Sequence, residues 1–152
     1  MQTIRALATI ANGGFLITPH IARRIEYVDG SEKIMEFQKT QIFKKETVDD
    51  VTRMLVKVVD TALKNGQEKM SHYSIAAKTG TAQVANPATK GYYEDRSLHS
   101  FFGYFPAYSP RFIVFIYHVY PKDAKFASET LTDPFIQITK FLINYYELPP
   151  DR

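Results

Sequence analysis

Apolar residues along the chain recur with two different periods, and the changes between them divide it into elements. Ile4, Leu7, Ala8 and Ala11 repeat at helical spacing, and Asn12-Gly13-Gly14 stops that helix. Phe15 to Ile21 is a short apolar run interrupted by Pro19. Residues 24–28 and 33–37 flank Asp29-Gly30, a pair suited to the positive φ of a primed hairpin turn. Residues 39–45 are polar and read as a loop. Residues 47–64 predict the clearest helix. Val48, Val51, Leu55, Val58, Val59 and Ala62 share one face, Thr47 and Asp50 form a capping pair, and Asn65-Gly66 ends it. Residues 74–81 then read as a strand, 84–97 as an exposed loop, 98–105 as a strand apolar on both faces, and 112–120 as a third strand after a Tyr108-Ser109-Pro110 turn. A loop over 121–131 leads to a last helix capped by Asp133, with Pro134 at its first position. Phe135, Ile138, Leu142 and Tyr145 form its apolar face, and Pro149-Pro150 terminates it. The order is helix, hairpin, helix, three-stranded antiparallel meander, helix: an α/β (α+β) protein with helices covering an antiparallel sheet.

Composition narrows the function classes without choosing one. The 152 residues suit one domain or a large piece of one, and 45% hydrophobic with 23% charged residues is the balance of a globular protein. A net charge of +3, with Arg23-Arg24 and Lys44-Lys45 as isolated basic pairs, does not argue for nucleic acid. Without cysteine there is no disulfide, thiolate metal site or thiol nucleophile. No run approaches the roughly 20 apolar residues of a membrane helix. Met1 opens directly into a helical pattern with no cap and no signal peptide, which reads as a cut through a longer protein.

The chemistry concentrates in Lys78-Thr79-Gly80-Thr81, at the end of a strand and after the small residues Ala76 and Ala77. Side chains alternate along a strand, so Thr79 and Thr81 point to the same side, where their hydroxyls can donate to a carboxylate. Lys78 adds a positive charge, and Gly80 lets a substrate backbone lie against the strand edge. A surface strand with a turn gives the same triplet by chance. A phosphate-binding loop is excluded because residues 73–77 are Tyr-Ser-Ile-Ala-Ala, with no glycine.

The wider segment Ile75-Ala76-Ala77-Lys78-Thr79-Gly80-Thr81-Ala82-Gln83 resembles the third motif of class B penicillin-binding proteins, the monofunctional peptidoglycan transpeptidases. Ala8 to Gly14 with Pro19-His20 resembles the family's upstream helix and turn. His99 to Pro106 is similar to its next strand, and Pro110-Arg111-Phe112 to the lead into its last strand. Asp133-Pro134-Phe135 and Leu148-Pro149-Pro150-Asp151 resemble its final helix and tail, whose length favours the septal cell-division type.

The resemblance implies roles for these residues. Lys78 bonds the serine of the second motif and assists proton transfer. The Thr79 and Thr81 hydroxyls bind the carboxylate of a donor peptide or a β-lactam, beside Gly80. The Thr81 N–H supplies half of an oxyanion hole, where a preorganised donor contributes about 3 kcal/mol. The implied partners are peptidoglycan stem peptides, β-lactams, a membrane glycosyltransferase and division proteins. The parent is expected on the outer face of the bacterial cytoplasmic membrane, with no metal or organic cofactor.

The first two motifs of the family are missing. None of the serines at 31, 71, 74, 97, 100, 109 and 128 has lysine three residues on or asparagine two residues on. The expectation is therefore the C-terminal part of a transpeptidase domain, residues 1–152, with the nucleophile, its helix and two sheet strands in an N-terminal half before Met1. Acyl transfer needs an activated nucleophile beside its base, so the chain alone is expected to be inactive, with apolar surface exposed where that half packed. A β-lactamase or carboxypeptidase of the same fold and a non-catalytic peptidoglycan or β-lactam binding module are the alternatives. Thr81-Ala82-Gln83 and Pro149-Pro150 argue against the hydrolases.

Other candidates have simpler readings. His20, His72, His99 and His118 lack metal-ligand spacing and read as packed or surface histidines. His99 and Ser100, as strand neighbours, face opposite ways and do not make a base and nucleophile pair. Glu94-Asp95 reads as solvated loop charge, and Tyr92, Tyr93, Tyr145 and Tyr146 as packing residues.

Overall fold

A computed structural model describes all 152 residues. Helix α1 (Gln2–Ala11) ends where Gly13 and Gly14 take φ values of +82° and +97°. Gly14 has a second constraint. Its carbonyl accepts the N–H groups of Ile42 and Phe43 at 2.8 and 3.1 Å, and a Cβ there would collide with the Phe43 carbonyl. This contact joins strand β1 (Phe15–Ile17) to β4 (Lys39–Gln41), an antiparallel ribbon pairing Phe15 with Gln41. Residues 39–41 are thus a strand, not a loop. β4 is exposed at every position, so it carries no apolar alternation to reveal it.

Between these strands, β2 (Arg24–Glu26) and β3 (Glu32–Ile34) form the expected hairpin. Its turn is tied by the Asp29 carboxylate, which accepts the Ser31 N–H at 2.9 Å and its hydroxyl at 2.6 Å. These bonds hold the Asp29 carboxyl below its ordinary range.

Helix α2 (Lys45–Lys57) begins two residues before the sequence reading, and Thr47 makes no cap. Lys44 is the extended residue before it, Glu46 lies in the first turn where the helix dipole favours an anion, and Lys45 pairs with Asp49 at 2.5 Å. The helix passes into a π turn (Val58–Ala62) and a 3₁₀ turn (Leu63–Gly66) with left-handed Lys64 and Asn65. The wider π turn rotates the apolar stripe. Thr52 and Val56 are buried against one sheet face, beside Tyr104, whereas Val59 and Leu63 reach the core on the other.

The main sheet is antiparallel in the order β5 (Ala76–Asn86), β6 (Gly91–Phe105), β7 (Phe112–Val119). β6 is apolar on both faces because both are covered. On one, Phe101 stacks on Phe135 of helix α3 (Ala127–Tyr145) at 4.3 Å. On the other, Phe102 and Tyr104 pack under α1 and α2, and the buried Tyr104 hydroxyl meets Thr52 Oγ1 at 2.7 Å. Burial pushes the Tyr104 phenol above its ordinary value.

Residues 84–97 are mostly strand rather than loop. β5 runs to Asn86 and β6 starts at Gly91, around a turn that holds Pro87. This arm projects beyond the three-stranded region. With no apolar face to bury, its charges disguise it as a loop.

α3 begins at Ala127, so Asp133 is not its cap, and Pro134 lies in its second turn. Its end is tied by Glu129, whose carboxylate accepts the N–H groups of Lys125 and Phe126 at 2.8 and 3.0 Å. Its buried stripe runs through Leu131, Phe135, Thr139 and Ile143, while Tyr145 is exposed. The helix stops at Tyr145, and Glu147 at φ +47° turns the chain before Pro149-Pro150 is reached.

The tail straps back under the start of β5. Ser74 N–H donates to Asp151 at 2.7 Å, and the Arg152 guanidinium grips both Asp60 oxygens at 2.6 and 2.9 Å. Arg152 also donates to the Met70 carbonyl, which anchors the approach to the strand. Both partners of the Arg152–Asp60 pair are largely shielded from water, so a charge-assisted bidentate bond keeps much of its strength. Arg152→Ala is expected to lower unfolding stability by about 2 kcal/mol in urea denaturation, with Asp60→Asn close behind.

Candidate functional site

β5 pairs with β6 along one edge only, and its other edge faces no strand. The end of α2 and its π turn shield the beginning of that edge, where Ile75, Ala76 and Ala77 are at most 1% exposed. From Lys78 onward the strand emerges: Lys78 and Thr81 are exposed, and Thr79 and Gly80 half-buried. Small apolar residues fix the strand and the next four present it, which is the accessible edge required of a peptide-gripping element.

Two hollows flank these four residues. One, of about 550 Å³, has Lys78 and Thr79 opposite Lys64, Asn65 and Glu129. The other, of about 720 Å³, runs from Thr81 past Gln83, Tyr93 and Arg96 to Lys125. Lys64 is already engaged. It bonds Asp133 and lies 3.6 Å from Glu68, which raises its pKa. Lys78 makes no ion pair and bonds only the Thr79 carbonyl at 2.8 Å. Its charge is therefore available to a ligand.

Thr81 is held more firmly. Its hydroxyl oxygen accepts the N–H of Ala127, the first residue of α3, at 2.9 Å. With a lone pair occupied, the hydroxyl proton remains to be donated into the groove. Gly80 leaves room for Ser100, whose hydroxyl donates to the Gly80 carbonyl at 3.3 Å; a Cβ at Gly80 would lie 2.7 Å from that hydroxyl.

The sequence reading did not find Ala127 or the left-handed Lys64-Asn65 turn. Ala127 acts through its backbone, which leaves no mark on residue type, and the turn is foreshadowed only by Asn65-Gly66. Arg96 was likewise missed; its guanidinium lies 4.1 Å over the Tyr93 ring in the groove wall. His99 and Ser100 do face opposite ways, His99 Nδ1 meeting Thr130 Oγ1 at 2.9 Å beneath α3. Glu94 and Asp95 are exposed on the β5–β6 arm, with Tyr92 also exposed there. Tyr145 and Tyr146 pack with Phe141 and Phe112.

A Lys-Thr-Gly element on a sheet-edge strand is one of the three motifs shared by the penicillin-binding proteins and class A β-lactamases, and it is the one this chain carries. The sequence matches the family described as penicillin binding protein transpeptidase domain over residues 1–138, and the chain belongs to that family. It is 27% identical over 140 residues to stage V sporulation protein D of Bacillus subtilis, covering 90% of this chain and 21% of that protein. With penicillin-binding protein PbpB of Mycolicibacterium smegmatis it shares 29% identity over 160 residues, covering 98% of this chain and 24% of that protein. The crystal structure of penicillin-binding protein 3 of Mycobacterium tuberculosis complexed with aztreonam superposes with a TM-score of 0.80 at 25% identity, over 99% of this chain and 36% of that one. The chain thus spans about a quarter of the length of its curated relatives. The fold is that of class B transpeptidase domains, as the sequence led one to expect.

Proposed function

We propose that this chain forms the C-terminal part of a peptidoglycan D,D-transpeptidase domain and supplies the strand that grips the donor peptide. The supporting observation is the emergence of Lys78 to Thr81 from a buried strand at an open sheet edge, with Lys78 unpaired and the Thr81 proton free. Thr79 and Thr81 bind the terminal carboxylate of the donor or of a β-lactam. The Thr81 N–H stabilises the tetrahedral oxyanion, and Lys78 relays a proton. The acylated serine lies in sequence outside this chain, in the N-terminal half of the same domain.

That half has a surface to cover. Met1, Ile4, Leu98, Phe115, Tyr117 and Val119 line an open, mainly apolar hollow of about 670 Å³, and β7 has an unpaired edge beside it. The septal cell-division type is consistent with relatives named peptidoglycan D,D-transpeptidase FtsI; on this reading a glycosyltransferase and other division proteins are its partners, at the outer face of the cytoplasmic membrane. No helix here is long and apolar enough to cross a membrane.

The test is covalent labelling with fluorescent penicillin. The full-length protein is expected to carry the label through denaturing electrophoresis, and this chain alone to carry none. Label on the isolated chain, or none on the full-length protein, refutes the reading. Peptide release without cross-linking by the full-length protein points to a carboxypeptidase instead.

A further inference from the structure

His99 is the cross-strand partner of Thr81, and its ring is wholly buried beneath α3. Phe101, two residues on, packs on the same side. A polar ring in such a place is unfavourable unless its nitrogens find partners. Nδ1 meets Thr130 Oγ1 at 2.9 Å, whereas Nε2 meets nothing.

Comparing the two neutral tautomers of His99 favours one direction for the bonds. Thr130 has one hydroxyl proton, and its oxygen is also placed to donate to the Ala127 carbonyl at 3.4 Å. Were that proton given to Nδ1, the ring would carry its own on Nε2, a buried donor without an acceptor. The less costly arrangement has Nδ1–H donating to Thr130 and Thr130 donating to Ala127, which leaves Nε2 a bare acceptor. Ala127 in turn donates its N–H to Thr81 Oγ1. The chain of contacts runs from His99 through Thr130 and Ala127 to Thr81, and closes through the pairing of Thr81 with His99 across the sheet.

We propose that His99 is a positioning residue for substrate carboxylate recognition. Through Thr130 it holds the first turn of α3 in register, so that the Ala127 N–H occupies a lone pair of the Thr81 hydroxyl and directs its proton at the carboxylate. A leucine would fill the space without a desolvation cost; the imidazole adds the Nδ1 donor. This inference rests on the reading of Thr81 as a carboxylate donor.

The test uses the full-length protein and two probes, benzylpenicillin and its methyl ester, which differ in the carboxylate. His99→Leu is expected to slow acylation by benzylpenicillin about tenfold, the loss of one well-aligned bond to a charged group, and acylation by the ester less than twofold. His99→Asn, which keeps a donor at the Nδ1 position, is expected to recover most of the rate. Thr130→Val is expected to reproduce the His99→Leu pattern and Thr130→Ser to rescue it, which decides the matter if His99→Leu does not fold. Equal slowing with both probes, or with neither, overturns the proposal while leaving the transpeptidase reading intact. A wild-type protein that neither probe acylates overturns both.

Discussion

Lys78→Ala in the full-length protein is expected to slow acylation by benzylpenicillin by a factor of about 10² to 10⁴, the range for removing a positioned proton-transfer group, and to leave the fold intact. The two halves of that expectation come from one observation. Lys78 is exposed, pairs with no carboxylate and bonds only its neighbour's carbonyl. Its removal empties no core and orphans no buried charge, so stability should change by less than about 0.5 kcal/mol. The loss then falls on the chemistry. Lys78→Arg separates the two ways a lysine can act. A purely electrostatic role is largely restored by arginine, whereas a proton relay is not, because arginine holds its proton at every working pH. Stopped-flow acylation of the three proteins, alongside their melting temperatures, measures both effects. Acylation of Lys78→Ala within threefold of wild type would remove Lys78 from the mechanism.

The part of this site that was legible in the sequence is the part made of side chains in a strand. Lys78 to Thr81 stood out through the resemblance of Ile75 to Gln83 to the family's third motif, and alternation along the strand put Thr79 and Thr81 on one side. What could not be read depends on backbone or on pairing. The Ala127 N–H that orients Thr81 belongs to a residue of no chemical distinction, placed there by a helix that starts earlier than Asp133 and Pro134 advertise. The buried stripe of that helix was obscured by Thr132 and Thr139, both fully buried. Each hides its polarity by donating to the carbonyl four residues back, on Ser128 and Phe135, at 2.7 and 2.9 Å. A hydrophobicity count scores them as surface and rotates the helix toward Ile138 and Tyr145. The β5–β6 arm and β4 failed for the opposite reason. Their pairing is satisfied by backbone bonds, and no face of theirs needs apolar residues.

The same helix placement yields the largest expected effect on stability. Gly103 faces α3 at the crossing of β6 with Phe135, and it is paired with Ala77. A Cβ built there would lie 2.8 Å from the Ala77 Cβ and 2.9 Å from Phe135 Cε2, closer than packed carbons approach, with Phe135 Cζ nearer still. The ring cannot turn aside, because it is fully buried and stacked on Phe101 at 4.3 Å. Something rigid has to move, and the helix is the element held by fewer bonds to the sheet. Gly103→Ala is expected to cost about 2 kcal/mol and Gly103→Val about 3 kcal/mol, the cost of overfilling a close-packed core. Phe135→Leu makes room, so the Gly103→Ala/Phe135→Leu double variant should lie above the sum of the singles by about 1 kcal/mol in urea unfolding. Strict additivity would show that the glycine is not there to admit the ring. Lifting α3 also draws the Ala127 N–H away from Thr81. Gly103→Ala should therefore slow acylation by benzylpenicillin more than acylation by its methyl ester, although no atom of Gly103 reaches the groove.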